Sequence, residues 1–414
     1  MSEPYRIKVD KDRIIGQINP QIYGYLAEHM GRLIYGGLYD EGSPLSDDRG
    51  FRKDVLEALK RTGCSNLRWP GGNFTSFYHW EDGVGPKEDR PVKYDLAWRV
   101  EESNRFGTDE FIQYCRAVGA EPYICANVSR QSTPEEAAHW VEYCNRKGDS
   151  HYAKMRERNG YPEPHNVKYW GIGSEVTGRG KGNFTPAEYA SLLEEYVTLM
   201  KRVDPTIKTV AVGIRLESSP TKKEPRRTER LETLLKQAMD WDSEVLKKAG
   251  DLIDYISMHQ YYSPEDYYGT VAAPVDVEDM VTRLRNLIEV STTGFAREEP
   301  IRIAFDEWGF GWQLTTSMLD HKVWASRIVA SLKRFSPSGK YRLESVHANK
   351  DHCDCLVHMF DRTIDCGMFQ RSGYLAWTCR PAHSHDCADT DHRCARDCRR
   401  GSAGAASPVS NRYS

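Results

Sequence analysis

Residues 167–178 read VKYWGIGSEVTG. Val167, Tyr169, Trp170 and Ile172, spaced by glycines and lacking a helical period, predict a strand inside a packed sheet. The strand stops at the polar pair Ser174-Glu175. A carboxylate at such a point faces the loops, where ligands meet a sheet. Residues 301–308, IRIAFDEW, repeat the design and end on Asp306-Glu307. Two strands far apart in sequence each deliver a glutamate at the C-terminal end. The question is which fold brings those ends together.

Working outward, further strands are predicted at 22–28, 65–69, 121–127, 208–214 and 254–261. Helices are predicted at 50–63, which ends on Gly63, and at 108–118 with a cap at Thr108. Another opens at Ser132-Thr133-Pro134-Glu135-Glu136 and runs to about Arg146, with a cap, an early proline and early acids. Others are expected at 185–203, 230–249 and 276–290, and the charged segment 220–230 reads as a solvated loop or helix start. The result is seven β/α alternations within about 310 residues. That regularity predicts an α/β chain built as a (β/α)8 TIM-type barrel rather than an open sheet. Glu175 and Glu307 then end the fourth and seventh strands. Glu28-His29, Arg68-Trp69, Asn127, His259 and Tyr261 end others, on the rim where barrel enzymes place their sites.

The 414 residues carry a net charge of −3 and are 39% hydrophobic. With a pI near 6.5 and a mean hydropathy of −0.67, the chain gives no reason to expect nucleic acid or a membrane as partner. No run approaches the ~18 apolar residues of a membrane span. The start, MSEPYRIKVDKDR, has no apolar core of a signal peptide, so a cytoplasmic location is expected. Cys64, Cys115, Cys125 and Cys144 lie in helix or strand patterns and read as reduced, partly buried thiols.

The pattern fails after Trp312. Three segments result: 1–20 as an N-terminal strand segment, 21–335 as the barrel, and 336–414 as an anomalous tail. Seven of the eleven cysteines fall between Cys353 and Cys398, among many His, Asp and Arg. Such a composition buries little core, and disorder is expected. The change is also that of translation out of frame. A zinc-binding tail is the rival; His352, Cys353, Cys355, Cys387, His392, Cys394 and Cys398 are available, but no C-x₂-C pair occurs.

Cleavage of a glycosidic bond needs a carboxylic acid to protonate the leaving oxygen and a second carboxylate across the anomeric carbon. Glu175 and Glu307 fit that need, with Trp170, Trp308 and Trp312 nearby to stack on a sugar ring. The plainer alternative is that each glutamate is a strand-end salt-bridge partner. Tyr261 either donates to the nucleophile or packs in the core. Asn73 follows Gly71-Gly72, which permit positive φ and close ligand approach; it binds a hydroxyl or merely forms a turn. His29 reads as a satisfied core histidine, and Asp306 as a partner of Arg68.

Together, IYGYLAEHMGRLIYGGLYD (22–40), LRWPGGNF (67–74), ESNRFGTDEF (102–111), PEPHNVKYWGIGSE (162–175), DYISMHQYY (254–262) and FDEW (305–308) resemble the α-L-arabinofuranosidases of glycoside hydrolase family 51. The resemblance spans about residues 5–313. It implies a retaining mechanism without cofactor or metal, Glu175 as general acid/base and Glu307 as nucleophile. It also implies Glu28, Asn73, Ser174, Tyr261 and Trp312 as contacts to the sugar or the nucleophile. The implied substrates are arabinan and arabinoxylan oligosaccharides carrying terminal arabinofuranosyl groups. Bacterial members of the family are often intracellular homo-oligomers. Two departures stand out. Ser174 replaces the family's asparagine. Beyond Trp312 the eighth strand and C-terminal β-sandwich are not matched, nor is the N-terminal strand around 6–9 given its sandwich. A catalytically impaired remnant is therefore the alternative.

Overall fold

The computed structural model of the chain describes residues 12, 14, 17–177, 181–213, 215–218, 227–262 and 267–310. Its elements in order are β1 (Tyr25–Leu26), α1 (Lys53–Thr62), β2 (Asn66–Trp69), β3 (Lys93–Asp95), β4 (Val100–Glu102), α2 (Thr108–Val118), β5 (Glu121–Ala126), α3 (Pro134–Asn145) and α4 (His151–Arg158). There follow β6 (Tyr169–Ile172), α5 (Pro186–Val203), β7 (Lys208–Ala211), β8 (Arg215–Ser218), α6 (Arg227–Ala249), β9 (Tyr255–Tyr262), α7 (Tyr267–Ser291) and β10 (Arg302–Phe310). The expected N-terminal strand segment, the tail and Trp312 lie outside the described residues, apart from 12, 14 and 17–20 of that segment.

Seven parallel strands run in the order β1-β2-β5-β6-β7-β9-β10, and β8 extends the sheet along β9. β10 comes back beside β1, so the sheet curls into a nearly closed barrel of the (β/α)8 type. Right-handed β/α crossovers cover its outer face with helices. Local chemistry sets the helix ends. Thr133 and Thr185 cap α3 and α5, accepting from the amides of Glu136 and Glu188. Gly63 closes α1 at φ 71°, a left-handed conformation that a side chain would resist. The cap of α2 differs from expectation. It is Gly107, whose N–H is taken by Glu110 at 2.9 Å, while Thr108 sits inside the helix and accepts from Trp140. The strand expected at 22–28 shrinks to Tyr25–Leu26, because Asn19 and Pro20 start a 3-10 turn over Pro20–Tyr23.

Strand alternation sorts the side chains into two layers. Ile124, Ala126, Trp170, Ile172, Ala211, Ile256 and Met258 face outward and meet the helices in the main core. The α5 stripe of Tyr189, Leu193, Tyr196, Val197 and Met200 is buried against them. Each such side chain contributes about 1.5–3 kcal/mol on burial. The opposite parity fills the barrel, where Tyr123, Cys125 and Val210 make a small cluster with Tyr169, Tyr255 and Ala304. The four cysteines of the described residues are free and buried. No helix among those residues is long and apolar enough to cross a membrane.

Candidate active site

Inward parity on β9 gives Ser257, His259 and Tyr261; on β2 it gives Arg68. On β10 strict alternation would set Asp306 and Glu307 on opposite faces. The register shifts between Ala304, opposite Ser257, and Glu307, opposite His259. This bulge places two residues against one, so both carboxylates turn into the barrel. Asp306 accepts from Tyr123 Oη at 2.8 Å and Ser257 Oγ at 2.6 Å. Glu307 accepts from Arg68 Nη1 at 2.8 Å and from Tyr261 Oη at 2.9 Å.

Glu175 follows β6 at φ 45°, a strained conformation for a non-glycine residue. Its Oε1 lies 3.1 Å from His259 Nδ1 and its Oε2 3.2 Å from Lys181 Nζ. His259 Nδ1 is also 3.4 Å from Glu307 Oε2. One oxygen each of Glu175 and Glu307, together with that nitrogen, lie within 4.8 Å of one another. Glu175, three residues past the fourth barrel strand, and Glu307, inside the seventh rather than at its end, thus share one site.

Arg68 is buried and holds three groups at once. Besides Glu307, its Nη2 donates to Ser174 Oγ at 3.2 Å, and its Nε faces Asp306 Oδ2 at 3.3 Å. Burial alone would raise the Asp306 pKa; Arg68, with His259 and Ser257, overcomes this and holds the carboxyl well below its usual range. Burial likewise opposes a charge on His259, yet Glu307, Asp306 and Glu175 raise its pKa from 6.5 to about 10. His259 is therefore an imidazolium clamped between carboxylates. The Tyr261 hydroxyl is pushed well above its ordinary pKa by burial and by Glu307 and Glu175, so it stays a donor.

A raised histidine pKa stabilises the fold fully below pH 6.5, and that contribution is lost as the pH rises through about 10. The thermal midpoint should accordingly fall between neutral pH and pH 10 more in the native chain than in His259→Gln. Equal falls in both would remove His259 as a charged bridge.

Glu28 is buried, and its Oε1 accepts from Phe74 N at 3.2 Å and Trp98 Nε1 at 3.1 Å. Asn73 is half-buried and its Oδ1 accepts from Lys181 Nζ. The two glycines before it differ from expectation. Gly72 has φ −89°, and only Gly71 is left-handed, at φ 133°. A Cβ on Gly71 would come 2.2 Å from Glu28 Cγ, so the close approach it permits is to Glu28 itself. His29 is a satisfied core histidine, with Nδ1 at 2.8 Å from Glu102 and Nε2 accepting from Trp69 at 2.9 Å.

Two tryptophans expected to stack on a sugar stand elsewhere. Trp170 is fully buried; it faces the helices, edge-on to Trp140, and donates to Val167 O at 3.0 Å. Its parity is that of Ile172, opposite to the barrel interior. Trp308 pairs in register with Gln260, beside Glu307, and stacks on Phe305. Trp312 lies outside the described residues.

Sequence reasoning missed Lys181, Trp98 and the central position of His259. The histidine had a signal: it shares a strand face with Tyr261, two residues on. Trp98 follows the β3 strand of a short polar hairpin, and Lys181 lies in a glycine-rich loop without periodicity. Glu175, His259 and Glu307 also form a grouping of possible metal ligands. In it Arg68 pairs with Glu307 and Lys181 with Glu175.

Two carboxylates converging inside a parallel barrel are the arrangement that barrel glycosidases use. The profile described as the alpha-L-arabinofuranosidase 1 domain matches residues 56–276. The chain is 43% identical over 306 residues to alpha-L-arabinofuranosidase C of Emericella nidulans, covering 73% of this chain and 59% of that protein. It is 35% identical over 384 residues to the intracellular exo-alpha-(1->5)-L-arabinofuranosidase of Acetivibrio thermocellus, covering 90% of this chain and 73% of the relative. The solved structure of the thermostable GH51 alpha-L-arabinofuranosidase from Thermotoga petrophila superposes with a TM-score of 0.64 at 49% identity, over 73% of this chain and 58% of that one. The chain belongs to glycoside hydrolase family 51, the α-L-arabinofuranosidases. It spans about three fifths of the length of the fungal relatives it matches.

Proposed function

We propose that the protein is a retaining α-L-arabinofuranosidase that releases terminal non-reducing arabinofuranosyl groups from arabinan or arabinoxylan oligosaccharides. The observation that carries this is the approach of one carboxylate oxygen of Glu175 to within 4.8 Å of one of Glu307. Retaining enzymes hold their carboxyl groups ~5–5.5 Å apart and inverting ones ~6.5–9.5 Å, so the spacing supports retention.

Glu307 is the nucleophile. Arg68 and Tyr261 each donate to one of its oxygens, which orients the carboxylate. Its oxygen attacks the anomeric carbon as the glycosidic C–O bond breaks, and Glu175 gives its proton to the leaving oxygen. Water then attacks the same carbon, gives a proton to Glu175, and the ester bond to Glu307 breaks. Positive charge develops on the sugar ring in the transition state of each step, and Glu28, Asn73 and Ser174 bind its hydroxyls. Trp312 completes the sugar contacts in this proposal. Ser174 is tied to Arg68, so it couples the sugar side of the site to the nucleophile. No metal or cofactor takes part. A cytoplasmic location is supported by the intracellular A. thermocellus relative, and homo-oligomeric assembly is part of the same proposal.

The test is release of 4-nitrophenol from its α-L-arabinofuranoside. Glu175→Ala should lower kcat by about 10²–10⁴. An aryl group leaves without an acid, so the glycosyl-enzyme still forms, and added azide should restore turnover by attacking it. Full activity in Glu175→Ala would refute the assignment. A native chain that folds but never releases the phenol would favour the impaired remnant.

A further inference from the structure

Lys181 has no part in the mechanism above, yet it touches two of its members. Its Nζ lies 3.2 Å from Glu175 Oε2 and donates to Asn73 Oδ1. The side chains of Lys181 and Glu175 are only 14% and 9% exposed, so water screens the pair poorly. The return of this loop is fixed on both sides. Arg130 Nε donates to Gly182 O at 3.0 Å and its guanidinium lies over the Phe184 ring, while Phe184 N donates to Val176 O. The residues that flank Lys181 are thus tied down beside the acid/base carboxylate.

This placement is awkward for an acid. An opposite charge within ~4–6 Å favours the ionised carboxylate, by 1–3 units of pKa. Glu175 faces Lys181 from its own loop, His259 from β9, Glu307 from β10 and the neutral Tyr261. Among these described residues two cations act against one anion. Once Glu307 is esterified that anion is gone, and Glu175 is driven further toward the carboxylate that must accept a proton from water. Lys181 therefore favours the second half of the reaction and opposes the first.

We propose that Lys181 is a positioning residue that holds Glu175 ionised in the free enzyme, makes protonation of the leaving group limiting, and so favours arabinosides of phenols over those of sugar hydroxyls. This rests on the arabinofuranosidase mechanism proposed above. A phenolate leaves without a proton; an alkoxide does not.

The experiment uses the full chain with Lys181→Met and Lys181→Arg. In Lys181→Met the alkaline limb of kcat/KM should move up by about one pH unit or more. The ratio of kcat/KM for the 4-nitrophenyl over the methyl arabinofuranoside should fall about tenfold. Lys181→Arg should keep the native limb. An unmoved limb and ratio in a Lys181→Met chain of native thermal midpoint would overturn the proposal. Carbon-13 titration of the Glu175 carboxyl in Glu307→Gln, with and without Lys181→Met, needs no turnover. A higher Glu175 pKa without the lysine supports the coupling even if no arabinoside is cleaved, in which case only the activity assignment fails. An equal pKa overturns it; Lys181→Gln serves if the methionine chain does not fold.

Discussion

Glu307→Ala is expected to lower kcat for arabinofuranoside hydrolysis by about 10⁴–10⁶. At 1.36 kcal/mol per tenfold this is roughly 5–8 kcal/mol of transition-state stabilisation. The size follows from the role: without the carboxylate there is no atom to form the ester, and water must attack an unactivated carbon directly. A good leaving group does not help, unlike in Glu175→Ala, because the missing bond is the one being made. The fold should survive. Arg68 loses the oxygen at 2.8 Å but keeps Asp306 and Ser174 as partners. Circular dichroism and a cooperative thermal transition would show that. An activity within tenfold of the native chain would place the nucleophile elsewhere, Asp306 being the first carboxylate to examine.

The second large effect is on stability. Arg68→Met removes the cation that Asp306 and Glu307 share inside the barrel. Breaking a buried ion pair from one side costs about 3–5 kcal/mol, since the remaining charge stays buried without its partner. Against a total of about 5–15 kcal/mol this is a large fraction. His259 remains as an imidazolium between the carboxylates and limits the loss. Urea unfolding should show the lowered midpoint. Arg68→Met with Asp306→Asn should recover part of it, by removing one of the stranded charges. A loss under about 1 kcal/mol, or no recovery in the double variant, would mean that the buried pair contributes little. Acid should narrow the gap. The lowered pKa of Asp306 gives the native chain stability that is present above pH 3.8 and lost as the pH falls through the folded value.

Much of the barrel was legible because its signals are local. Strands over 121–127 and 254–261 carry β-branched and aromatic residues, and helices α1, α3 and α5 carry their own caps. The carboxylate pair was legible for the same reason, as two polar stops on apolar strands. What stayed hidden depends on register and parity. Trp170 could face either layer, and only pairing with β5 and β7 decides that it looks outward. The bulge between Ala304 and Glu307, which turns Asp306 and Glu307 to one side, leaves no mark in IRIAFDEW. The β3–β4 hairpin was missed because Val92, Tyr94, Leu96 and Val100 are exposed apolar residues in a charged segment, with no buried face to set a period. Lys181 reaches Glu175 and Asn73 only through the turn of its loop, and neither spacing nor composition announces such a contact.

The central claim is that Glu307 bonds to the sugar while Glu175 serves it from across the same barrel mouth. The direct measurement is to react Glu175→Ala with an aryl α-L-arabinofuranoside, quench during turnover, and map the covalent adduct by peptide mass spectrometry. One anhydropentosyl unit on Glu307, lost again when azide is added, is the predicted result. An adduct on any other residue, or no adduct together with the inverted sugar as first product, would contradict it.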